Sequence, residues 1–100
     1  MYRLLIGADI LLQNARPDAL PSLGLDPEQL ASRYPTLIHV HLLGFLDQPG
    51  RGGYDIVVQA ESGFLSMNDN PTGSGFRMPV ALMDVLAAHQ MKKSLIIMIK

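Results

Sequence analysis

Residues 8–43 read ADILLQNARPDALPSLGLDPEQLASRYPTLIHVHLL, and their pattern decides the fold. Two short apolar runs with β-branched residues, 8–13 (ADILLQ) and 37–43 (LIHVHLL), end at turn-prone Asn14 and Gly44 and read as buried strands. Between them, Asp26 precedes Pro27, the pairing of an N-cap with a first helical position, and Tyr34-Pro35 closes that helix. A strand–helix–strand crossover of this length predicts a parallel pair, because a hairpin needs only a tight turn. The fold class expected is therefore α/β, with helices over 27–34, 54–67 and 83–99 flanking the sheet. In an open parallel sheet, ligands gather at the carboxyl ends of the strands. Residues 14–17 leave one strand there and the loop 44–54 leaves the other, so both belong to one candidate site edge.

Composition narrows the chemistry. One hundred residues make one domain at most, and 48% hydrophobic content suits a packed core. Eight Lys and Arg against nine Asp and Glu give a net charge of −1, and no basic stripe occurs, so neither nucleic acid nor an anionic membrane is the expected partner. With no Cys, disulfides, thiolate metal sites and Cys nucleophiles are excluded. The apolar runs are too short to span a bilayer, which takes about 20 residues. The expected location is the cytoplasm.

Three groups stand out chemically. Asp84 lies where the chain enters its last helix, in PVALMDVLAA (79–88). Its ordinary reading is an N-cap or first-turn acid. The same helix N–H groups would keep the carboxylate ionised, as a covalent nucleophile requires, and the apolar context favours it over solvent-facing acids. His39 and His41 share one strand face, but a zinc site wants three or four ligands, so no metal is expected. The turn Gly50-Arg51-Gly52-Gly53 lacks the Gly-Lys-Ser/Thr ending of a Walker loop. It reads equally as a surface loop or as a place where a ligand meets bare backbone.

Taken in order, these motifs resemble the class III coenzyme A transferases, the formyl-CoA and carnitine CoA-transferase family. ADILLQNARP (8–17) is similar to that family's ADVLxENFRP segment, LGL (23–25) and YPTLI (34–38) to its next stretch, and GYD (53–55) with QAESG (59–63) to another. The segment ending in Asp84 completes the series. The resemblance implies a partial Rossmann-like parallel sheet, residues 1–100 being a single partial domain of the family's large domain. It implies transfer of CoA from an acyl-CoA to a free carboxylic acid, with Asp84 as the nucleophile that becomes an aspartyl-CoA thioester. CoA contacts carry over to Asn14, Ala15 and Arg16 and to Arg51, Gly52, Gly53 and Tyr54. CoA enters as a substrate, with no permanently bound cofactor, and the full-length enzyme is an interlocked homodimer.

Departures from the pattern bear on CoA binding. Ala15 stands where the family has Phe, Ser22 where a CoA-binding Arg is common, and Pro21 disturbs the helix there. Arg16 is left to compensate. Family racemases place a His thirty positions before the aspartate; here that position is Tyr54, a poor base with a pKa near ~10. Racemase remains the alternative enzyme. Because family members run to several hundred residues, the resemblance implies an internal piece or a truncated product, inactive by itself. A non-catalytic remnant that only packs with a partner is the rival from another class.

Overall fold

The computed structural model describes residues 2–68, 72–73 and 75–99. The chain forms two compact units, Met1–Gly52 and Gly53–Lys100.

The first unit runs α1 (Tyr2–Leu5), β1 (Ile10–Gln13), a 3-10 turn (Pro17–Ala19), α2 (Leu20–Leu23), α3 (Pro27–Arg33) and β2 (Ile38–His41). The strands pair in parallel, Ile10 opposite Ile38 and Gln13 opposite His41. Asp26 caps α3 as its sequence predicts, accepting the Gln29 N–H at 3.0 Å. Both strands are shorter than the apolar runs. The Ala8 N–H turns back to the Leu5 carbonyl at 3.2 Å, so residue 8 closes α1 instead of entering β1.

The strands are half-buried, which corrects the expectation of buried strands. The core consists of Leu5, Leu20, Leu25 and Leu30, each at most 5% exposed, with Leu11 and Leu37 packed against it. Leu12 points away and is 53% exposed, since side chains alternate across a strand and only one face meets the leucines. Full burial of each leucine contributes about 1.5–3 kcal/mol.

Pro21 does not disturb α2. It lies in the first turn, where a missing N–H costs nothing. Gly24 ends that helix at φ 70°, and its left-handed turn lets the Leu25 N–H reach the Leu20 carbonyl at 2.9 Å. Leu25 is thereby delivered to the core.

The second unit contains α4 (Asp55–Glu61), α5 (Phe64–Met67) and α6 (Leu82–Met98). The single helix expected over 54–67 is two, broken at Gly63, whose φ of 76° stops the α-helical run. Among the described residues of this unit only Gln59 is fully buried, at 1% exposure. Val85, Leu86, Ile96, Ile97 and Met98 of α6 are exposed and follow no single face.

Candidate functional site

The first four N–H groups of a helix need acceptors from outside it. At the start of α6 the N-cap residue is Ala81, which has no side chain to offer. Asp55, from the first turn of α4, serves instead. Its Oδ1 accepts the N–H of Met83 at 2.6 Å and of Asp84 at 3.1 Å. Its Oδ2 accepts from the Gln59 amide, and Gln59 Oε1 accepts the Met78 N–H at 3.1 Å. One carboxylate and one buried amide thus join α4, residue 78 and the start of α6.

Of the two ordinary readings of Asp84, the first-turn acid holds and the N-cap does not. The acid that closes the helix is Asp55, and Asp84 occupies the third position of the first turn. Asp84 is exposed, not sheltered by its apolar neighbours, and its carboxylate has no hydrogen-bond partner among the described residues. Desolvation raises the pKa of Asp55, but the Asp84 N–H, the Gln59 amide, the Met83 N–H and the charge of Arg77 outweigh it, and the net shift is below the usual 3.8. Tyr54, also exposed, is the extended residue that leads into α4 and precedes the clamping carboxylate. Gly53 stands before it, half-buried.

In the first unit the parallel pairing puts Asn14, Ala15 and Arg16 at the same sheet edge as the chain leaving β2, as the spacing predicts. The Leu42 N–H bonds the Gln13 carbonyl at 2.9 Å, closing that edge. Ala15 is held through both of the peptide groups that flank it. Its N–H donates to Gln13 Oε1 at 2.7 Å, and its carbonyl accepts from His41 Nε2 at 2.8 Å. Its methyl packs against the leucine core. Asn14 is exposed.

Arg16 is already engaged. Nε lies 3.1 Å from Asp18 Oδ1 and Nη2 lies 3.0 Å from Oδ2, a forked pair on the exposed surface. An anion approaching Arg16 competes with Asp18. Arg51 lays its guanidinium 4.3 Å above the Phe45 ring, and its N–H closes a turn on the Gln48 carbonyl at 2.9 Å. Gly52 beside it is exposed.

The two histidines stack, with ring centroids 6.2 Å apart and planes 5° from parallel. Burial, and then the neighbouring His41, push the His39 pKa below 6.5. Among the described residues no three His, Cys, Asp or Glu side chains gather as a metal would need. No helix is long and apolar enough to cross a membrane among those residues.

The sequence assigned no site role to Asp55, Gln59, Gln13 or Asp18, and it weighed His41 only as a metal ligand. Asp55 and Gln59 carried a signal, since residues four apart meet on a helix. His41 and Ala15 lie 26 positions apart and carried none.

The family model for CoA-transferase family III matches residues 1–98. The succinate–glutarate CoA-transferase of Agrobacterium fabrum is 38% identical over 87 residues, which cover 83% of this chain and 22% of the relative. The probable fatty acyl-CoA transferase Rv3272 of Mycobacterium tuberculosis is 33% identical over 99 residues, 96% of this chain and 25% of the relative. A crystal structure of Rv3272, titled a hypothetical protein, superposes with a TM-score of 0.81 at 32% identity, covering 94% of this chain and 28% of that one. The α/β class is therefore shared with a solved relative. The chain spans about a quarter of the length of the relatives it matches. Its ordered motifs, its parallel crossover and these matches agree: the chain belongs to CoA-transferase family III.

Proposed function

We propose that this chain is the nucleophile-bearing part of an enzyme that moves CoA from an acyl-CoA donor to a free carboxylic acid. The observation that carries this reading is the carboxylate of Asp84, exposed and without a hydrogen-bond partner among the described residues, in the first turn of α6 with its own N–H already bonded to Asp55. The Asp84 oxygen attacks the thioester carbonyl, forming a mixed anhydride and expelling the CoA thiolate. The thiolate attacks the aspartyl carbonyl, releasing the donor acid and leaving an aspartyl-CoA thioester. The acceptor carboxylate attacks that thioester, giving a second anhydride, and the thiolate then takes its acyl group. Asp84 is regenerated, and no net proton moves. Dividing the exchange into acyl transfers is what covalent catalysis offers.

CoA is a substrate, not a resident cofactor. Its contacts fall on Asn14, Ala15 and Arg16 and on the turn of Arg51, Gly52, Gly53 and Tyr54. The backbone at Gly52 and Gly53 admits close approach, and Arg16 and Arg51 supply positive charge for phosphate. Both units belong to one larger domain, and the segment is inactive without the rest of its polypeptide. The working enzyme is an interlocked homodimer in the cytoplasm. Tyr54 in place of a histidine supports transfer over racemisation, for want of a base near neutral pKa.

The test uses the intact protein carrying these residues. Asp84→Asn should retain the fold while CoA exchange falls by roughly four orders of magnitude, as loss of a covalent nucleophile does. Acyl-CoA followed by hydroxylamine or borohydride should modify the peptide containing Asp84. Near-normal exchange by Asp84→Asn would sink the covalent mechanism.

A further inference from the structure

We propose that Asp55 is the positioning residue for Asp84, acting with Gln59 to keep the nucleophile's carboxylate free of its own helix. The inference rests on the reading of Asp84 as nucleophile and adds a role for two residues that touch no substrate.

Asp84 occupies the third position of α6, from which an acidic side chain readily folds back onto the N–H groups at the helix start. A carboxylate spent on those donors is a weaker and misdirected nucleophile. Ala81 cannot take them, and Asp55 does, through a single oxygen that accepts from both Met83 and Asp84. The other oxygen is held by the Gln59 amide, so the acceptor cannot rotate away. Gln59 is oriented in turn, because its Oε1 must accept the Met78 N–H at 3.1 Å. It is 1% exposed, so water cannot substitute for either bond. The chain of donors runs one way only: residue 78 to Gln59, Gln59 to Asp55, and the start of α6 to Asp55.

That direction supplies the test. Asp55→Asn keeps an acceptor for the helix, but its new N–H₂ meets the N–H₂ of Gln59. One of the two amides must turn, leaving a donor facing a donor. Adding Gln59→Glu restores the pattern, with the carboxylate moved from position 55 to position 59: the amide at 55 donates to it, and it still accepts from Met78.

In the intact protein, Asp55→Asn should lower kcat by about 10²-fold, the scale of a 1 Å misplacement. KM for acyl-CoA should stay within about threefold. The rate at which hydroxylamine-trappable label appears on Asp84 should fall with kcat. The double variant Asp55→Asn/Gln59→Glu should recover most of both losses, the coupling expected of groups in one network. A purely structural loss would reduce active enzyme without slowing labelling of the folded fraction. Wild-type kcat and labelling in a folded Asp55→Asn would overturn the proposal. If the single variant does not fold, the double variant decides: near-wild-type labelling supports the proposal, and labelling slowed about 10²-fold in the folded double variant overturns it. Should Asp84→Asn prove active, the nucleophile reading fails instead, and the two failures are distinct.

Discussion

The Nε2 of His41 lies 2.8 Å from the carbonyl oxygen of Ala15, twenty-six residues earlier in the chain. A carbonyl can only accept, so this nitrogen donates. Beside it, the Ala15 N–H donates to Gln13 Oε1, which turns the Gln13 N–H₂ toward His39 Nε2 at 3.4 Å. In this orientation the Gln13 amide meets His39 Nε2 as an acceptor, in keeping with the lowered pKa of His39. Two strands and the loop proposed to meet CoA are tied by side chains whose proton positions are mutually required.

That dependence predicts loosening in mild acid. The folded pKa of His39 is below 6.5, so the unfolded chain binds the proton first and stability rises with pH. The contribution is intact above 6.5 and is lost as pH falls from there through the folded value. Protonated Nε2 would face the Gln13 N–H₂, forcing that amide to turn and withdrawing the acceptor of the Ala15 N–H. Hydrogen-exchange protection of the Ala15 amide should drop between pH 7.5 and 5.5, and His39→Leu should abolish the drop. Unchanged protection in the native chain would refute the coupling.

Asp55 predicts a second acid limit. Its pKa is depressed below 3.8, so the clamp's contribution is fully present above that value and disappears as pH falls through the lower folded one. Thermal melts of the native protein and Asp55→Asn from pH 7 to pH 2.5 should differ most above pH 3.8 and converge below it. A constant difference across that range would show that ionisation of Asp55 is irrelevant to the clamp.

Arg16 and Asp18 make a prediction about CoA affinity. An exposed pair of this kind is worth about 0.2–1 kcal/mol, which Arg16 must forgo to grip a phosphate. Asp18→Asn should tighten CoA binding by up to about fivefold in calorimetry, and Arg16→Ala should weaken it. Weaker binding by Asp18→Asn would mean that Asp18 orients Arg16 for the ligand and does not compete with it.

Much of the fold was legible because its causes are local. Asp26-Pro27 starts α3 wherever the helix packs, since cap and fixed φ act within one turn. The crossover length imposed parallel pairing of β1 and β2. The break at Gly63 was missed because QAESG and FLSM are each compatible with helix, and only the observed left-handed φ separates α4 from α5. The strand burial was misjudged because apolar composition does not say how many layers cover a sheet.

The sequence by itself determined the α/β crossover, the sheet edge of residues 14–16 and the place of Asp84 at a helix start, which follow from spacing and from residue types acting on near neighbours, and its ordered motifs carried the resemblance to the family. Only the tertiary structure decided which carboxylate closes α6. Both Asp55 and Asp84 are acids in a first helical turn, and sequence spacing ranks Asp84 first for the cap. The N–H groups of Met83 and Asp84 go to Asp55 because α4 brings its carboxylate to 2.6 Å from the first and 3.1 Å from the second, across 28 and 29 residues of chain, and Gln59 holds it there. Hydrogen bonds between segments depend on where the backbone returns, and that is a property of the packed molecule.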